Sequence, residues 1–117
     1  VSVESLIVST LTALVTGRVY PDIAPQGMTA LPRITYQQVG GQGLNFIENT
    51  PVGKKNGRFQ VNVWGATRLQ VAALSRQVED ALKSEKQLYT TILSAPIASY
   101  ETDTKLYGTM QDFSFWW

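Results

Sequence analysis

The sequence predicts an α+β fold: a small antiparallel β-sheet with two main helices packed on one face, in the order helix, strands, helix, strands. Three observations carry this. Residues 58–64 alternate apolar and polar at the period of a strand, and residues 67–84 repeat apolar positions at the period of a helix. Strand-like segments also cluster between two helical stretches and after the second one, rather than alternating with helices as a parallel α/β sheet requires. The 117 residues form one domain, 1–117, with no internal repeat, linker or low-complexity tract.

The first helix is expected over residues 2–16. Val3, Leu6, Ile7, Leu11 and Leu14 make one apolar stripe, Ser2 is placed to cap the first turn and Gly17 to end the last. Val8, Thr10, Thr12, Val15 and Thr16 weaken it intrinsically, so it leans on tertiary packing. This apolar opening carries Glu4 and lacks a basic leading region, which reads as a folded helix and not a signal peptide.

Residues 18–32 hold three prolines and a glycine and form a connector, with a short strand at Arg18–Tyr20. Tyr20, Ile23 and Met28 are expected to pin it to the body. Residues 33–39 alternate as a strand, Ile34 and Tyr36 on one face and Thr35, Gln37 and Val39 on the other. Residues 44–48 are a further strand candidate, followed by a turn-rich loop. In 58–64, Phe59, Val61 and Val63 face one way, Gln60 and Asn62 the other. The second helix, 67–84, opens on Thr67 and Gln70, a capping-box pair. It buries Val71, Leu74, Val78 and Leu82 and turns Arg68, Arg76, Glu79, Asp80 and Lys83 to solvent. Residues 85–95 fit no single element. Residues 97–101 and 106–117 form a last hairpin, with Phe113, Phe115 and Trp117 on the core face. Trp64 and Trp116 fall on the opposite face as candidate exposed aromatics, suited to an oligomer interface.

Composition narrows the function. The chain has no Cys and no His, which removes thiolate metal sites, disulfides and the commonest general base and metal ligand. No cofactor, metal or catalytic residue is expected. The nine acids are scattered; Glu101 and Asp103, two apart beside a turn, are the sole pair resembling a hydrolase dyad, and the same spacing describes a solvated hairpin tip. Gly40, Gly41 and Gly43 lack the following helix and the spacing of a phosphate loop and read as a bulge. The net charge of +1 argues against a dedicated nucleic-acid binder, although Lys54, Lys55 and Arg58 form a basic cluster. No apolar run reaches the ~20 residues of a membrane span. Only 16% of residues are charged, while Ser, Thr, Asn and Gln together supply 33 residues. A surface of uncharged polar groups suits a subunit that spends much of it against neighbours.

The segment GRVYPDIAPQGMTALPRITYQQVGG resembles the N-terminal signature of the tail completion (tail terminator) proteins of tailed phages and prophages. The positions that carry it are Arg18, Tyr20, Pro21, Asp22, Ala24, Pro25, Gln26, Gly27, Pro32, Tyr36 and Gln37. The strand-into-helix unit around Val61, Val63, Trp64 and Ala66 is similar to the family's centre, and the ending with Asp112, Phe113 and Trp116 to its last strand. Residues 42–57 are the least family-like.

The resemblance implies a structural, non-enzymatic ring subunit, sixfold, that caps the head-proximal end of the tail tube and joins it to the head connector. Its partners would be further copies of itself, the tube protein and the connector protein. DNA would pass through the lumen, no membrane would be involved, and the protein would reside in the virion after a phase in the host cytoplasm. Within this reading Tyr20, Asp22, Pro25 and Gln26 are candidate docking residues of the connector. Lys54, Lys55 and Arg58 are candidates for a subunit boundary or the lumen, and removal of residues 50–56 is expected to abolish assembly. The strand 33–39, the terminal strand and the 40–57 loop are candidate edges for ring contacts. Another head–tail joining or neck subunit, a small nucleic-acid-binding module using the basic cluster, and a small hydrolase using Glu101 and Asp103 are the rival readings.

Overall fold

The computed structural model describes residues 2–27, 29–42 and 54–117. The candidate strand at 44–48, the anchoring role of Met28 and most of the segment 50–56 lie outside the described residues.

Helix α1 runs from Val3 to Leu11, with the Ser2 hydroxyl accepting the Ser5 amide at 3.1 Å. It is shorter than the expected 2–16, because Thr12–Leu14 tighten into a 3-10 turn. Ser9 and Thr10 both donate their hydroxyls back to the Leu6 carbonyl, which competes with continuation of a regular helix. Gly17 ends the segment as expected: at φ 82° its amide reaches the Thr12 carbonyl at 2.8 Å.

Six strands follow: β1 (Val19–Pro21), β2 (Arg33–Gly40), β3 (Asn56–Gly65), β4 (Thr91–Ile92), β5 (Ile97–Glu101) and β6 (Leu106–Trp116). Helix α2 (Arg68–Ser84) sits between β3 and β4. The α+β class and the segment order are as expected, and the sheet is mixed rather than purely antiparallel. β1 pairs with β2 in parallel, the connector between them serving as the crossover, and every other pair is antiparallel. The sheet runs β1, β2, β3, β6, and beyond β6 lie β4 and β5, which share its outer edge end to end. The undecided segment 85–95 resolves into a 3-10 turn, Lys86–Leu88, and the two-residue β4.

Directly opposed residues share a face. Phe59 opposite Phe113 and Gly57 opposite Phe115 therefore place the aromatic residues on the face that meets the helices. Val3, Leu6, Ile7 and Leu11 of α1 join Val71, Leu74, Val78 and Leu82 of α2 over Ile34, Tyr36, Phe59, Val61 and Val63 in one core. Gly57 is there because a Cβ would stand 2.7 Å from the Trp117 ring. The cap of α2 forms, with the Gln70 amide donating to Thr67 Oγ1 at 3.1 Å; its reciprocal arm closes one residue early, the Gln70 side chain accepting from Ala66.

Candidate assembly surfaces

The second face of the sheet carries Arg33, Thr35 and Gln37 of β2, Arg58, Gln60, Asn62 and Trp64 of β3, and Gly108, Met110, Asp112, Ser114 and Trp116 of β6. Both candidate tryptophans are on this face, as the alternation predicts, but they are half-buried rather than exposed. The reason for Trp64 is local. Its ring lies over Gly108, where a Cβ would stand 2.8 Å from it, and its indole N–H donates to Thr35 Oγ1 at 3.3 Å. Trp116 lies opposite Asn56.

The connector folds back over the same face. Asp22 takes a left-handed backbone, φ 61°, and its amide donates to the Tyr36 carbonyl at 2.7 Å. Arg18 fastens the far end, donating to the Pro32 and Leu31 carbonyls at 2.8 and 3.3 Å. Of the residues expected to pin the connector, Ile23 does not, being 79% exposed; the docking candidates Pro25 and Gln26 stand in solvent. Tyr20, in β1, is half-buried. A cleft of about 280 Å³ opens between Asp22–Pro25 and Arg33, Thr35, Asn62, Trp64 and Glu101. The Asn62 side chain is buried there, with Oδ1 lacking a hydrogen-bond partner among the described residues.

The basic cluster does not act as one patch. Arg58 is turned onto Asp112, with Nε and Nη2 at 3.0 and 2.6 Å from Oδ2. Lys54 places its ammonium 4.5 Å from the centre of the Tyr89 ring. Lys55 is held through its backbone, which exchanges hydrogen bonds of 2.7 and 3.0 Å with Trp117, and its side chain is exposed. What joins Lys54 is Lys86, lining one cleft with it around Tyr89, and Lys83, in the adjoining one. Lys54, Lys83 and Lys86 therefore gather around the exposed Tyr89, with Lys55 next in sequence and Glu85 the one acid among the described residues lining these clefts, and together they make a basic end. Sequence reading missed Lys83, Lys86 and Tyr89 because only the fold brings residues 83–89 beside 54–55. The available signal is a large aromatic between lysines in a stretch that fits no regular element.

Arg68, expected in solvent, is half-buried. Its guanidinium donates to the Gly108 and Ser99 carbonyls at 2.9 and 2.6 Å and lies 5.3 Å from the Tyr107 ring centre, joining α2 to the β5–β6 hairpin. Glu79 likewise turns inward and accepts from Gln111 at 2.9 Å. Tyr36, beneath α1, has a displaced pKa: burial first, then the Glu4 carboxylate to which its hydroxyl donates, push it above the usual phenol value. Glu101 and Asp103 are both exposed, and no group of three or more His, Cys, Asp or Glu residues suited to a metal occurs among the described residues.

A family model described as Tail completion protein gp17 matches residues 7–117. Among solved structures, a chain of the virion of native gene transfer agent (GTA) particle has TM-score 0.65 and 16% identity, covering 97% of this chain and 92% of that one. The structure of bacteriophage SPP1 gp17 protein has TM-score 0.57 and 19% identity, covering 96% and 86%. At these identities the likeness is one of fold. No curated protein sequence matches the chain.

Proposed function

We propose, from the premise that the chain belongs to the tail completion protein gp17 family, that it is a structural subunit of the phage particle. In this reading it closes the head-proximal end of the tail tube as a ring and joins the tail to the head connector. The match over residues 7–117 is the observation that carries this. The geometry supports it on the second face of the sheet. Thr35, Gln37, Gln60, Asn62 and Ser114 put uncharged polar groups on that face beside Arg33 and the Arg58–Asp112 ion pair, and the exposed connector adds Asp22, Pro25 and Gln26, a polar surface suited to docking.

The partners in this reading are further copies of the chain in a sixfold ring, the tube protein and the connector protein. The basic end is assigned to the lumen, where Lys54, Lys55, Lys83 and Lys86 repeated around a ring would line the passage of DNA. Light scattering of the purified protein, with negative-stain images at high concentration and on isolated tails, tests the ring. Closed rings, free or seated at one tail end, are the expected result. An open filament or a compact dimer overturns it.

A further inference from the structure

The ends of the sheet are unlike each other, and among the described residues each has an edge without a strand partner. On one side β1 covers β2 only from Ile34 to Tyr36. From Gln37 to Gly40 the outer edge of β2 has no strand partner among the described residues, and Val39 there is 41% exposed. On the other side β5 is outermost. Its inner edge is matched to Met110–Leu106 and its outer edge has no strand partner among the described residues. β5 exposes Ile97 at 56% and Tyr100 at 48%.

Proteins ordinarily blunt such edges with lysine, proline, a bulge or a covering segment. Within Ile97–Glu101 there is no lysine and no proline, the register to β6 is continuous, and Glu101 at the last position is the sole charge. The terminal strand, by contrast, is not available as an edge: β6 has β3 on one side and β4 and β5 on the other.

We infer that the outer edge of β5 is an assembly edge, which receives the open half of β2 from a second copy of this chain and so continues the sheet from one subunit to the next. The occupant is argued from the molecule itself. Strand direction alternates from β2 through β3 and β6 to β5, so β5 runs opposite to β2. Continuing the sheet into the next copy therefore produces an antiparallel pair, the more stable ladder. Each edge brings exposed apolar side chains, Ile97 and Tyr100 on one and Val39 on the other, to a contact that hydrogen-bonds main chain to main chain. The two edges are different surfaces on opposite sides of one sheet. The contact is head-to-tail, which gives a ring when the rotation between copies closes and does not give a twofold dimer. This pairing rests on the ring reading above.

The absence of native cysteine gives a clean test. Paired strands hold facing Cα atoms about 4.5–5.5 Å apart, within disulfide reach. Single variants Ile97→Cys, Tyr100→Cys, Gln37→Cys and Val39→Cys are made, together with doubles that combine one position from each edge. Each is oxidised mildly at a concentration where the wild type is imaged. The expected result is a covalent ladder in at least one double variant, rising to a closed species on non-reducing gels, while the single variants stay monomeric. Self-crosslinking of a β5 single variant overturns the pairing, because it shows like edges meeting. Closed wild-type rings with no crosslink in any double variant overturn the pairing alone. Absence of closed rings in the wild type overturns the ring reading and the pairing with it.

Discussion

At the scale of single residues, Tyr36 and Gly108 connect local chemistry to measurable stability. The hydroxyl of Tyr36 donates to Glu4 from a buried position, and its pKa is raised above 10.0. A proton held more tightly in the folded state than in the unfolded one stabilises the fold below the unfolded value and loses that effect as pH rises through the folded one. Tyr36→Phe is expected to cost about 1 kcal/mol at neutral pH. The gap between variant and wild type then narrows as pH climbs past about 10, followed by thermal melting against pH. Gly108 has no room for a side chain, so Gly108→Ala overpacks the Trp64 ring and is expected to cost about 1–3 kcal/mol in urea unfolding. Combining it with Trp64→Leu should recover part of that loss, a non-additivity expected of touching residues. That Trp64 shares a face with the second-face residues was legible from alternation. That it is half-covered was not, because the glycine it rests on lies 44 positions away in the sequence.

At the scale of elements, α2 and β3 were legible almost to their ends, since period and capping chemistry are local signals. Thr67→Ala should cost about 1 kcal/mol through the lost cap. Leu74→Ala, beneath the same helix, should cost about 2–5 kcal/mol by opening a cavity. The parallel pairing of β1 was not legible, nor was β4. Strands of three and two residues have no period to read, and their place is set by the hydrogen bonds of neighbours. The role of Arg68 escaped for a related reason: its acceptors are backbone carbonyls, which carry no sequence signature. Arg68→Met is expected to leave global stability within about 1 kcal/mol while speeding amide exchange across 97–101. An unchanged exchange rate there would mean that pairing with β6 alone holds β5.

At the scale of the molecule, the connector proposed for docking was legible as a segment and not as a geometry. The prolines marked the connector, yet nothing in them indicated that it would fold over the second face and leave Ile23 in solvent. Of the basic residues close in sequence, Lys54 and Lys55 stay together and Arg58 pairs with Asp112, while Lys83 and Lys86 join the two lysines from elsewhere in the chain. These lysines are surface groups whose replacement leaves the core untouched. Lys54→Glu with Lys86→Glu is therefore expected to preserve the melting temperature within a few degrees while lowering the yield of joined particles. Electron microscopy of lysates reads this as heads and tails that remain separate. Normal joining by that variant would remove the basic end from the assembly account.

The central position of β6 has a consequence for the life of the chain before any particle exists. Fifty-one residues separate the end of β3 at Gly65 from the end of β6 at Trp116. At a synthesis rate of about 5–20 residues per second, the ribosome takes about 3–10 s to cover them. Through that interval β3 lacks its inner neighbour, and β4 and β5 have nothing to lie against. A nascent chain is thus obliged to wait for its last strand, and the edge assigned to the next subunit comes into being only when the fold is complete. On the pairing inferred above, a chain that lacks β6 has no β5 edge to offer a neighbour.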